Sequence, residues 1–188
     1  MTSLDFYRNR RVCVTGATGL IGSYAVKLLV QAGAKVTAIR HKRYSEAYVG
    51  GPINDFTELA ERHYTYDLLD PKQALLAVDG EEIVVNCAGI TGGIGIVKQD
   101  PISYVGPATT LACNVIHACH LSRARLGFLS STTVYAAQDT PVVERPEVYL
   151  DEPYRLYWGI GWSKRYLIGK GSIFGDGTAA KLVCDTFG

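Results

Sequence analysis

The segment that most restricts the fold is Arg11-Val-Cys-Val-Thr-Gly-Ala-Thr-Gly-Leu-Ile-Gly-Ser23, an apolar run that passes directly into Gly16-x-x-Gly19-x-x-Gly22. Val12 and Val14 read as a buried strand, and Leu20, Ile21, Tyr24, Ala25, Leu28 and Leu29 recur at helical spacing immediately afterwards. The glycines therefore occupy a strand-to-helix turn. In such a turn one glycine permits the tight bend, one lets backbone approach a pyrophosphate, and one lets helix pack closely on strand, while the helix N-terminus faces the anion. A second strand, Lys35-Val-Thr-Ala-Ile39, follows Gly33 and completes the context that an isolated three-glycine match would lack. The expected contacts to a dinucleotide are Gly16, Thr18, Gly19, Leu20, Ile21 and Gly22.

Strand patterns at 11–15, 35–40, 62–66, 82–88, 126–131 and 180–185 alternate with helix patterns at 20–32, 71–78, 102–121 and 162–170. That alternation predicts one α/β domain over residues 1–188: a doubly wound parallel sheet with helices on both faces. Ligands of such sheets bind beyond the carboxyl ends of the strands. The segment from Arg43 to Asn54 reads as a surface loop. The strand pattern at 180–185 runs almost to the last residue, so the expectation is a truncated chain in which a C-terminal substrate-binding region is largely absent.

Charge narrows the partners. With 19 basic and 18 acidic residues there is no global field to attract nucleic acid or an anionic membrane, and neither is expected as a partner. No apolar run reaches the roughly 20 residues of a membrane span, and the polar start lacks the apolar region of a signal peptide, so a cytoplasmic location is expected. Cys13, Cys87, Cys113, Cys119 and Cys184 are scattered through apolar patterns and read as small buried hydrophobes. No Cys/His spacing suggests a metal.

The residue closing the second strand selects the dinucleotide, because an acidic side chain there grips the ribose 2′-hydroxyl. Here it is Arg40, followed by His41, Lys42 and Arg43, a basic cluster that favours NADP over NAD. A solvated basic loop is the plainer alternative. Asp67-Leu68, beyond the third strand, offers either an acceptor for the adenine amino group or a helix cap. Small residues at Ala88 and Gly89 let backbone lie against a cofactor ribose. The fifth strand ends in consecutive hydroxyls, Phe128-Leu-Ser-Ser-Thr-Thr-Val-Tyr135, among which Ser131 is the candidate to hydrogen-bond a reacting oxygen; a serine-rich turn is the alternative.

Together, Val14-Thr-Gly-Ala-Thr-Gly-Leu-Ile-Gly22, Asp67-Leu68, Asn86-Cys-Ala-Gly89, Ser130-Ser-Thr-Thr-Val-Tyr135, Pro141-Val-Val-Glu144 and Ser163-Lys164 resemble the extended short-chain dehydrogenase/reductases, the NAD(P)-dependent sugar epimerase/dehydratase family. The resemblance covers nearly the whole chain and implies a Rossmann-type domain. Within the family, Ala88-Gly-Ile-Thr-Gly-Gly-Ile94 and Asn114-Val-Ile-His-Ala118 most resemble the GDP-L-fucose synthase branch, which reduces and epimerises a 4-keto sugar nucleotide with NADPH. The implied substrate is thus a sugar nucleotide, and the implied assembly extends to a homodimer.

The resemblance also implies a Ser-Tyr-Lys set: Ser131 polarises the oxygen, a tyrosine exchanges the proton, and Lys164 lowers that tyrosine's pKa while binding the ribose. The family spacing Tyr-x-x-x-Lys puts Ile160 where the tyrosine belongs, and isoleucine transfers no proton. Tyr157 precedes Lys164 by seven residues, about 10 Å along a regular helix. Gly159 and Gly161 weaken a helix there, so the expectation is a helix starting near Trp162 with Tyr157 folded back towards Lys164. Tyr154 or another donor remains open, as does a degenerate member that binds a dinucleotide without turnover. A further departure is Ala108, where the family usually places an asparagine. Tyr149, Trp158, Trp162 and Tyr166 read as packing around the lysine helix.

Overall fold

A computed structural model of the 188-residue chain describes residues 3–41, 56–90, 94–139 and 151–171. Five strands, β1 (Arg11–Thr15), β2 (Lys35–Arg40), β3 (Arg62–Thr65), β4 (Ile83–Asn86) and β5 (Arg125–Phe128), form one sheet in the order β3-β2-β1-β4-β5. Every adjacent pair is parallel. Among the described residues five α-helices accompany them: α1 (Leu20–Gln31), α2 (Pro71–Val78), α3 (Ile94–Gln99), α4 (Ile102–Ser122) and α5 (Trp158–Gly171). This is the Rossmann-like doubly wound sheet, with the chain moving outward from β1 to β3 and then returning to place β4 on the other side of β1.

Period-two alternation builds a core on each face. Val12, Val14, Val36, Ala38, Ile83 and Val85 turn to the face covered by α1, where they meet Ala25, Val26 and Leu29. Cys13, Ile39 and Val84 turn to the other face, where they meet Ala74, Ala77 and Val78 of α2 and Leu111, Val115, Ala118 and Cys119 of α4. Both sides of the central strands are buried, which is why their sequences are nearly continuous apolar runs.

The expected and observed elements differ in instructive places. β5 ends at Phe128, three residues before the predicted limit, because Ser131 caps a 3₁₀ turn over Thr132–Val134. β4 likewise stops at Asn86, two residues early. Leu20, Ile21 and Tyr24 are exposed, so the core face of α1 is carried by Gly22, Ser23, Ala25, Val26 and Leu29. Cys13 and Cys119 are buried as expected, but Cys113 is exposed. Burial raises the thiol pKa of Cys13 well above the usual range and pushes those of Cys87 and Cys119 up to about 12. The pattern at 180–185, the loop residues Lys42 and Arg43, Tyr149 and Cys184 lie outside the described residues.

Two glycines fix the connection from β1 to α1. Gly16 has φ +61°, and a Cβ on it would lie 2.7 Å from the Ala88 backbone. A Cβ on Gly22 would meet the Gly16 carbonyl oxygen. Gly16→Ala, through backbone strain and overpacking, and Gly22→Ala, through overpacking, are each expected to lower unfolding free energy by about 2–3 kcal/mol. Gly89→Ala has nothing within 4 Å of its added carbon and is expected to stay within about 0.5 kcal/mol of wild type. Urea unfolding of the three variants checks this contrast.

Candidate functional site

The crevice between β1 and β4, where strand order reverses, receives the glycine loop from one side and residues 87–90 from the other. Several bonds hold it open. Ala17 N–H donates to the Ile39 carbonyl at 3.1 Å, and Cys87 N–H to the Thr15 carbonyl at 3.2 Å. The buried Thr15 hydroxyl donates to Asn86 Oδ1 at 2.5 Å and accepts from Ala88 N–H at 3.2 Å, clamping the two strand ends together. Gly19 is the N-cap of α1 without a side-chain cap, and the first intrahelical bond comes from Ser23 N–H to the Gly19 carbonyl. The N–H groups of Leu20, Ile21 and Gly22 therefore have no acceptor within the helix. A bare-backbone cradle closed to any Cβ, with first-turn amides directed outward, fits a pyrophosphate. Exposed Leu20 and Ile21, 63% and 59% accessible, flank it as apolar cover.

At the end of β2, Arg40 is not a free cation. Its Nη2 donates to Thr57 Oγ1 at 2.5 Å and to Glu58 Oε1 at 2.6 Å, and its buried Nε has no partner. His41 Nε2 lies 4.0 Å from Asp67 Oδ1. Asp67 does not cap a helix: its carboxylate accepts from Leu69 N–H at 3.0 Å, and Asp70 is the residue that caps α2 through Lys72 N–H. Leu68 is buried in the core on the α2 and α4 side.

The second half of the site lies beyond β5. Ser131 Oγ accepts from Thr133 N–H at 3.2 Å and from Thr133 Oγ1 at 3.0 Å, so it both shapes a turn and keeps its own proton for another acceptor. Lys164 Nζ donates to the Leu129 carbonyl at 3.1 Å and lies 4.3 Å from the Phe128 ring centroid. Burial lowers the Lys164 ammonium pKa from its ordinary value. Thr109 of α4 is 2.6 Å from the Ser163 hydroxyl, which ties the lysine helix to the long helix beside Ala108.

Tyr157 departs from expectation. Helix α5 begins at Trp158, directly after a 3₁₀ turn over Arg155–Tyr157, and not near Trp162. Gly159 and Gly161 do not break it. A Cβ on Gly161 would lie 2.5 Å from both the Thr133 carbonyl and Pro153 Cβ, so this glycine admits the Thr132–Val134 turn against the helix. Tyr157 closes the 3₁₀ turn directly before the helix, seven residues ahead of Lys164. Ile160 is 4% exposed and belongs to the core. Trp158, Trp162 and Tyr166 are exposed and form an i, i+4, i+8 stripe on this helix, with the Trp158 and Trp162 rings 6.3 Å apart.

An open cavity of about 820 Å³ is lined by Thr132, Thr133, Tyr135, Ala136, Ala137, Gln138, Asp139, Tyr154 and Tyr157. The structure thus brings Tyr157 together with the residues that follow Ser131, while Ser131 and Lys164 are not among the lining residues. Gln138, Asp139 and Glu58 escaped sequence reasoning, since they stand in irregular segments without a periodic signal. Tyr104, on the first turn of α4, was also invisible there; burial and the neighbouring Tyr157 raise its phenol pKa. Among the described residues, no group of His, Cys, Asp or Glu converges as a metal site, and no helix is long and apolar enough to cross a membrane.

A sequence model of the NAD dependent epimerase/dehydratase family matches residues 12–168, and the chain belongs to that family. It is 32% identical over 146 residues to 2-alkyl-3-oxoalkanoate reductase of Shewanella oneidensis, covering 77% of this chain and 34% of that protein. It is 30% identical over 150 residues to cinnamoyl-CoA reductase 2 of Medicago truncatula, covering 78% and 41%. The chain therefore spans well under half the length of these curated relatives. Among solved structures, UDP-glucose 4-epimerase from Brucella ovis in complex with NAD superposes with a TM-score of 0.69 at 18% identity, covering 87% of this chain and 48% of that one, and so shares the fold.

Lys164 gives a signed pH prediction. Its folded-state pKa lies below 10.5, so between that lowered value and 10.5 the unfolded chain holds a proton the folded chain has released. Stability contributed at this position must rise with pH across that window. Wild type is expected to gain stability relative to Lys164→Met as pH climbs towards 10.5, measured by urea unfolding of both proteins at each pH.

Proposed function

We propose that this chain is the dinucleotide-binding part of an NADP-dependent oxidoreductase or epimerase that acts on a sugar nucleotide by hydride transfer. The observation that carries the reading is the Gly16–Gly22 turn, whose backbone is pressed against Ala88 too closely for side chains and leaves the first amides of α1 to an anion. The bound coenzyme supplies the hydride. Gly16, Thr18, Gly19, Leu20, Ile21 and Gly22 hold its pyrophosphate. Ala88 and Gly89 give backbone room for a ribose, Asp67 accepts from the adenine amino group, and Leu68 lies beneath it as core. Arg40 meets the 2′-phosphate of NADP, and NAD binds less well.

Lys164 holds the nicotinamide ribose and keeps positive potential beside the cleft. Ser131, whose oxygen already accepts from Thr133, donates to the reacting oxygen and stabilises the charge that develops there. Tyr157 takes or gives the proton from its place in the cavity wall. A substrate seated against Tyr154 and Tyr157, whose ring centroids are 6.2 Å apart, would present a carbonyl or alcohol to that phenol. The GDP-L-fucose synthase branch is the finer reading. A cytoplasmic location accords with the unpaired buried thiols of Cys13 and Cys119, and exposed Leu75 and Leu76 of α2 offer a face for a homodimer.

Two specific observations support alternatives. The identities to carbonyl reductases favour a reductase of smaller carbonyl compounds on the same machinery. The buried Ile160 at the position of the family tyrosine favours a member that binds coenzyme without turnover. Activity separates the three: oxidation of NADPH is measured with a 4-keto sugar nucleotide and with a 3-oxoacyl substrate. The sugar-nucleotide reading expects the first to react, with Tyr157→Phe lowering kcat by about a hundredfold or more. Full activity in that variant removes Tyr157 from the mechanism. Arg40→Ala is expected to weaken NADPH binding by about tenfold with little change for NADH, by isothermal titration.

A further inference from the structure

Arg40, the cationic partner offered to a 2′-phosphate, already has a carboxylate at 2.6 Å. That carboxylate belongs to Glu58, and its placement is not casual. Glu58 sits in a 3₁₀ turn, Phe56–Leu59, docked on α1: the Phe56 ring is 5.2 Å from that of Tyr24 in edge-to-face contact, and the Lys27 ammonium is 4.6 Å from the Phe56 centroid. Thr57 is fully buried and receives Arg40 Nη2 as well. The turn is thus anchored on both sides, and it presents Glu58, 73% exposed, to a guanidinium that is only 28% exposed. Arg40 follows Ile39, whose carbonyl takes the Ala17 amide of the glycine loop, so the pair stands one residue from the cradle. The next basic residue, His41, likewise faces a carboxylate, Asp67.

We propose that Glu58 is a specificity-determining residue that opposes Arg40 in the choice of coenzyme, a proposal that rests on the glycine-turn reading above. A dianionic 2′-phosphate reaching Arg40 meets a guanidinium already engaged through Nη2 by the Glu58 carboxylate and bears the repulsion of that carboxylate. A ribose 2′-hydroxyl meets no such penalty and finds an acceptor in the same oxygen atoms. Arg40 pulls the selection towards NADP, Glu58 pulls it back towards NAD, and the ratio of the two affinities is set by the pair.

The test is isothermal titration of the 188-residue chain, Glu58→Gln, and the double variant Arg40→Gln/Glu58→Gln with NADPH and with NADH. The expected result in Glu58→Gln is a rise of at least about fivefold in the ratio of the NADH Kd to the NADPH Kd, carried mostly by tighter NADPH binding. The rise should vanish in the double variant. Because Glu58 is largely exposed, the single variant should keep the wild-type urea midpoint. Binding of both coenzymes at an unchanged ratio overturns the role of Glu58 and leaves the cradle standing. Binding of neither coenzyme to wild type overturns both.

Discussion

The approach of the Gly16 backbone to the Ala88 backbone is the contact on which the rest depends. It brings the end of β1 against the end of β4 with no room for a side chain. The Thr15–Asn86 bond and the two amides donated to Thr15 lock the strand ends in the same place. Once that junction is made, the start of α1 is fixed over the crevice, and its unbonded amides point where the sheet leaves a gap. The bare amides at the start of α1 are therefore a consequence of how the sheet is closed at its switch point. Their charge comes from peptide dipoles, which do not titrate.

The second half of the site is organised by helix α5. Lys164 reaches back to the Leu129 carbonyl, Gly161 lets the Thr133 turn lie against the helix, and Ser163 ties the helix to α4. These contacts hold Lys164 and the turn capped by Ser131 beside the end of β5. Ile160 is buried on this helix, where an aliphatic side chain belongs to the packing. The chain's own geometry puts Tyr157 on the cavity wall.

Most of the architecture was legible because it rests on period. The apolar runs of β1, β2 and β4, the helical spacing of α1 and the proline-started α2 predict the parallel sheet and the bounds of β1, β2 and α2, whereas α3 carries no period that announces it. Boundaries failed where a side chain, not a period, ends the element: Ser131 capping its turn shortened β5. Gly159 and Gly161 misled for a related reason, because helix propensity speaks of an isolated helix and Gly161 answers to a tertiary contact with Pro153 and Thr133. The glycine cradle was readable since each glycine carries a backbone demand. Glu58 was not, because an exposed carboxylate in an irregular segment has no signature until Arg40 is seen beside it.

The central claim is that a nicotinamide dinucleotide lies across the amides joining β1 to α1, and amide-resolved NMR of the 188-residue chain during titration with NADPH tests it most directly. The account predicts saturable shifts concentrated at Gly16–Gly22, with smaller ones at Ala88 and Gly89. Shifts absent from those amides, or confined to the Trp158–Tyr166 stripe while the cradle stays silent, would contradict it.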